Sequence, residues 1–164
     1  MEKSSEVTGK IIMRLNLNKK EISILHSDIF NTVYETLDNG KSIYGIDYVD
    51  GHSIAGLWYA SKRICSDNFL KRRDAFLWIL EHLLTEGRIK LHKKGVFLES
   101  SIEDQIRLFK EAFPKDEHDA DRICTKPGME APYEGFGMNV WWFLDSCPAG
   151  VAWRQDDGHY EIAD

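Results

Sequence analysis

The side chains that could carry chemistry in this 164-residue chain are six histidines, three cysteines and a large set of carboxylates. Zinc chemistry needs imidazoles and thiolates at spacings such as Cys-x-x-Cys or His-x-x-x-His. His26, His52, His82, His92, His118 and His159, with Cys65, Cys124 and Cys147, form no such pair, so no metal is expected. The run "DEHDAD", Asp116 to Asp121, has carboxylates at its first, second, fourth and sixth positions. It lacks the glycine and distal glutamate of a calcium loop and reads as a solvated acidic segment. Nucleophilic catalysis has no Gly-x-Ser-x-Gly, glycine-rich phosphate loop or dinucleotide fingerprint to stand on. The one thiol in a suggestive place is Cys147, beside Pro148, and the chain is not expected to be an enzyme or to need a cofactor.

Charge says more than motifs do. The net charge is −6, but residues 1–114 hold 17 Lys and Arg against 16 Asp and Glu, net +1, whereas residues 115–164 hold 4 against 11, net −7. The last third is therefore the part whose field attracts basic partners and repels phosphate, over about 8 Å at physiological salt. The odd number and wide spacing of the cysteines suggest no disulfide framework. No long apolar run marks the N-terminus as a signal or a spanning helix, and a cytoplasmic protein is expected.

The elements that must position these residues follow from periodicity. The length and the 43% hydrophobic content suit a single domain over residues 1–164, with residues 1–10 as a flexible tail. "IIMRLNL" is ambiguous between a strand and a helical turn. Ile22, Leu25, Ile29, Val33 and Leu37 keep helical spacing up to Asn39-Gly40, and "SIYGIDYVDGHS" reads as extended. "SIAGLWYASKRI" looks helical, and Ser66 or Asp67 offers an N-cap for a central helix that ends at Gly87. "RIKLHKKGVFLE" predicts two short strands around Lys94-Gly95, with Ile89 and Leu91 inward and Lys90 and His92 outward. "SSIEDQIRLFKEAFP" predicts a helix with alternative capping boxes, Ser100 with Glu103 or Ser101 with Asp104, closed by Pro114. From Lys115 to Gly137 no period is sustained, which predicts a long surface segment. "MNVWWFLDS", "AGVAWRQDDG" and "HYEIAD" predict an antiparallel meander, with Trp141 and Phe143 on one face and Trp142 and Leu144 on the other. The fold class is thus α+β: a helical N-terminal two thirds of about four helices and a small, mostly C-terminal antiparallel sheet.

A helix followed by the basic ribbon "EGRIKLHKKG" also matches the outline of a winged-helix nucleic-acid binder, with Lys71, Arg72, Arg73, Lys90, Lys93 and Lys94 as phosphate contacts. Edge lysines that protect a sheet from pairing give the same pattern, and the net charge favours that reading.

At "LLTEGRIKL", "SSIEDQIRLFKEAFP" and "VWWFLDSCPAGVAWRQDDG" the chain resembles a small bacterial family of uncharacterised proteins, over about residues 70–160. Some of its members are encoded beside contact-dependent growth inhibition systems. The resemblance implies an immunity protein that binds and neutralises the C-terminal domain of a cognate toxin, a basic domain with nuclease activity, with no direct nucleic-acid or membrane partner. It supplies no catalytic residues. The expected toxin-binding residues come from the segment where charge and irregular backbone coincide: Asp116, Glu117, Asp119 and Asp121, extended by Glu130, Tyr133 and Glu134.

Overall fold

The structure is a computed structural model, and it describes residues 15–62, 67–129 and 133–163. Residues 1–10, most of "IIMRLNL", Cys65, Ser66 and Glu130 lie outside these. Helix α1, Lys19–His26, starts at Asn18, whose side chain accepts the Glu21 N–H while Glu21 returns a bond to the Asn18 N–H. It continues as a wider π-helical turn, Ser27–Asn31, and then ends. The helix expected through Leu37 is corrected here: strands β1, Val33–Thr36, and β2, Ser42–Tyr44, form an antiparallel hairpin. Val33, Tyr34 and Thr36 are strand formers, and Asn39-Gly40 turns the hairpin rather than stopping a helix, with the Leu37 N–H bonded to the Lys41 carbonyl.

After a 3-10 turn, Gly45–Tyr48, come α2, Ala55–Ala60, and α3, Phe69–Thr85. The α3 cap is Asn68, which accepts the Lys71 N–H. Ala75, Phe76, Leu77, Ile79, Leu80 and Leu83 of α3 are fully buried, which makes it the central helix. Asp74 is also buried. It is held by the Asn16 N–H at 2.7 Å and by Arg73 at 2.9 Å, as an interior carboxylate must be.

Strands β3, Ile89–Lys93, and β4, Val96–Phe97, form the expected hairpin, followed by α4, Ile102–Ala112, which Ser101 caps through the Asp104 N–H. Strands β5, Gly150–Arg154, and β6, Tyr160–Ala163, complete a four-stranded antiparallel sheet in the order β4-β3-β5-β6. The mixed α+β fold is as expected. Two predicted features differ. His92 is buried instead of facing water, because it lies opposite Gly150, which leaves its ring room against the sheet. The segment "MNVWWF" is not a strand but the short helix α6, Gly137–Val140, and a 3-10 turn, Trp141–Phe143. The tighter helical rotation buries both Trp141 and Trp142 beside Phe113 and leaves Phe143 exposed.

Five of the six cations expected as phosphate contacts, all but Lys94, have work inside the fold. Lys71 pairs with Glu21 at 2.8 Å, Arg72 lies over the Trp58 ring and donates to the Trp58 carbonyl, and Arg73 pairs with Asp74. Lys90 sits over the Phe97 and Tyr160 rings, and Lys93 donates to the Asp145 and Cys147 carbonyls. Replacing Lys90, Lys93 and Lys94 by Gln should therefore lower stability by about 1–2 kcal/mol, chiefly through Lys90 and Lys93, as a chemical melt would show. The same variant should still bind the partner proposed below.

Glu81 of α3 is the reverse case. One carboxylate oxygen is buried with no hydrogen-bond partner, and burial pushes its pKa up from 4.5 to about 7. Between those values the unfolded chain releases the proton that the folded chain keeps, so the contribution of Glu81 to stability falls as pH rises from about 4.5 to about 7 and is level above. Glu81→Gln should stabilise the protein by about 1–3 kcal/mol at pH 8 and have little effect near pH 4, measured by denaturant melts at the two pH values.

Candidate functional site

The segment expected to be a long irregular loop contains a helix, α5, Glu117–Cys124. Asp116 is its N-cap and accepts the Asp119 N–H at 2.7 Å. Asp119 takes the Lys115 N–H at 2.9 Å and pairs with Arg122 at 2.7 Å; these two bonds, in that order, hold its carboxyl below the usual range. Both oxygens of Asp121 are engaged, one by the Gly135 N–H and the other by the Gly137 N–H, each at 2.7 Å. The Thr125 hydroxyl donates to the Asp121 carbonyl and accepts the Tyr133 N–H. The chain returning after α5 is thereby pinned back onto the helix.

The close approach is possible because residue 137 is glycine. A Cβ there would lie 2.5 Å from the Ala120 carbonyl carbon and 2.6 Å from its oxygen. The Cys124 thiol donates to the Gly137 carbonyl from the same side.

The seven expected binding residues thus divide by task. Asp119 and Asp121 are taken up by the backbone they organise, and Asp116 is both cap and exposed carboxylate. Glu117 and Glu134 are exposed and form no hydrogen bond or ion pair among the described residues. Tyr133 is half-buried, with its backbone fixed, and Glu130 lies outside the described residues. Two open grooves flank the helix. One, of about 500 Å³, runs from Asp67 and Arg72 to Asp116 and Glu117; the other, of about 570 Å³, lies among Asp121, Arg122, Tyr133 and Glu134. His118 lines both.

Sequence reasoning missed His118 and the exposed Phe136, whose side chain stands 63% exposed beside the pinned loop. The helix had a legible signal: Asp116 in an N-cap position followed by Ala120, Ile123 and Cys124 at helical spacing, with Ala120 and Cys124 buried. Asp121 carried none, because its partners are backbone groups 14 and 16 residues away.

This arrangement is a rigid anionic ridge that can receive ammonium or guanidinium groups. Cys147 is not poised as a nucleophile: burial pushes its thiol up to about 12, which keeps it protonated at neutral pH. Among the described residues no three His, Cys, Asp or Glu side chains gather closely enough to hold a metal ion, and no helix is long and apolar enough to cross a membrane.

Fold and site together define a mixed α+β protein whose distinctive surface is an acidic helix braced by a returning loop. Residues 84–162, from the last turn of α3 to β6, match the family described as "Protein of unknown function, DUF596". The matched part takes in the acidic ridge and the four-stranded sheet up to Ile162, one residue short of the end of β6. The fold is similar to that of a solved structure from Neisseria meningitidis, described as an uncharacterised protein conserved in bacteria. The two are 17% identical, the TM-score is 0.58, and the likeness covers 98% of each chain. At that identity the likeness concerns the fold. No match was found among curated proteins.

Proposed function

We propose that this chain is an immunity protein that binds and neutralises the C-terminal domain of a cognate contact-dependent growth inhibition toxin, a basic nuclease whose active site or substrate path it covers. The observation that supports this most is the acidic ridge: Asp116, Glu117 and Glu134 stand on a helix and loop whose backbone is fixed by Asp119 and Asp121, so the backbone that carries the charge needs no ordering on binding. A cationic substrate cleft is the complementary surface. Phe136, exposed beside the ridge, supplies an aromatic anchor of the kind that dominates such interfaces. The nucleic-acid reading is less well supported, because Lys71, Arg72, Arg73 and Lys93 are occupied by partners within the fold.

Co-expression with the C-terminal domain of a contact-dependent growth inhibition toxin from the same bacterium tests the reading. Growth should be restored by this chain and not by an unrelated acidic protein of similar size. Continued killing by the toxin domain in the presence of the folded chain would reject the proposal.

A further inference from the structure

A cavity of about 260 Å³ lies at the end of the four-stranded sheet, where β3 and β5 meet the turn after Phe143, and it shares no lining residue with the grooves of the acidic ridge. Ile54, Trp142 and Leu144 give it an apolar side, and the His92 ring with the Lys93 and Lys94 ammonium groups gives it a polar one.

Two ring N–H positions here have no acceptor, and one ammonium has only neutral ones. His92 Nδ1 accepts the Gly95 N–H at 3.1 Å, which places the proton of the neutral ring on Nε2. His92 is only 7% exposed, and its Nε2 has no hydrogen-bond partner. The indole Nε1–H of Trp142 is likewise buried and unpartnered. Lys93 is fixed by two neutral carbonyls, Cys147 at 2.7 Å and Asp145 at 3.2 Å, so its charge is positioned but, among the described residues, not compensated. Among the described residues neither Lys93 nor Lys94 forms an ion pair, and the one carboxylate that lines the cavity, Asp145, is exposed. Buried donors without acceptors are costly, and natural proteins keep few of them without a use. Glycine at position 150 leaves the His92 ring its place in the cavity wall, since a Cβ there would lie 2.9 Å from Nε2.

We propose that this cavity binds a small organic carboxylate with an apolar body, the carboxylate received by His92 Nε2–H and the Lys93 and Lys94 ammonium groups, and the hydrocarbon by Ile54, Trp142 and Leu144. The volume suits one group the size of an aromatic side chain, given that a water occupies about 30 Å³ in the liquid. A free carboxylic acid and the C-terminal carboxylate of a peptide ending in an apolar residue share this chemistry. This inference stands apart from the toxin-binding proposal.

The test is a titration of the purified chain with 3-phenylpropionate, with N-acetylphenylalanine as the peptide-terminus arm and 3-phenylpropionamide as the uncharged control, followed by tryptophan fluorescence and NMR. Either acid should saturate with a Kd of about 0.1–1 mM, and the amide should bind about tenfold more weakly or worse. Tighter binding of N-acetylphenylalanine identifies a peptide terminus, and tighter binding of 3-phenylpropionate a free acid. Lys94 has φ 51°, a conformation that asparagine tolerates, so Lys94→Asn should keep the turn and weaken the acids about threefold to tenfold. Gly150→Ala should abolish the binding. No saturable change up to about 10 mM, or equal binding of acid and amide, would overturn the proposal.

Discussion

Alanine at position 137 is expected to cost about 3 kcal/mol of stability or more, one of the largest effects of a single methyl group in this protein. The added Cβ would meet the carbonyl carbon and oxygen of Ala120 at 2.5 and 2.6 Å, and the Asp121 nitrogen more closely still. These are backbone atoms of α5, so no side chain can rotate away. Relief requires α6 to move off α5, which breaks the Gly137 N–H bond to Asp121 and uncovers Ala120 and Cys124. Asp121→Asn should be milder, a loss of about 1–3 kcal/mol, because one acceptor oxygen remains for the two N–H groups. Denaturant melts of both variants check this. A Gly137→Ala protein within about 0.5 kcal/mol of the parent would show that the helix and the returning loop are not packed as described.

The second large effect is kinetic. Asp116→Asn, Glu117→Gln and Glu134→Gln together should slow association with the toxin domain by about tenfold or more at low salt, and the difference should shrink as salt rises. The substitutions are chosen to spare the fold. Asparagine retains the N-cap acceptor, and Glu117 and Glu134 hold no partner among the described residues. Asp119 and Asp121 are left alone because their loss would disturb the backbone as well as the field. Stopped-flow association at two ionic strengths is the measurement, with a melt to confirm that the variant is folded. An unchanged rate at low salt would move the interface away from the ridge.

What was legible in the sequence was whatever local chemistry fixes. Ser101 before Ile102, Ile106 and Phe109, closed by Pro114, located α4, and Lys94-Gly95 located the β3-β4 turn. What was hidden depended on distant partners. Val33 and Leu37 continued the helical spacing of α1, yet pairing with Ser42–Tyr44 drew Val33–Thr36 into a strand. Trp141 and Trp142 read as a strand with alternating faces, yet burial of both against Phe113 and Phe76 takes helical geometry. At the candidate site, acidity was visible and its division of labour was not. Asp121 and Glu117 look alike in sequence, but only the coordinates separate the carboxylate that braces a loop from the one that faces solvent.

The central claim is that this chain binds a cationic toxin domain, and direct calorimetric titration with the C-terminal domain of a contact-dependent growth inhibition toxin from the same bacterium tests that claim most simply. A one-to-one complex with a Kd of about 10 nM or tighter, weakened as salt is raised, is the predicted result. No heat of binding and no complex by size exclusion at about 10 μM of each folded partner would contradict it.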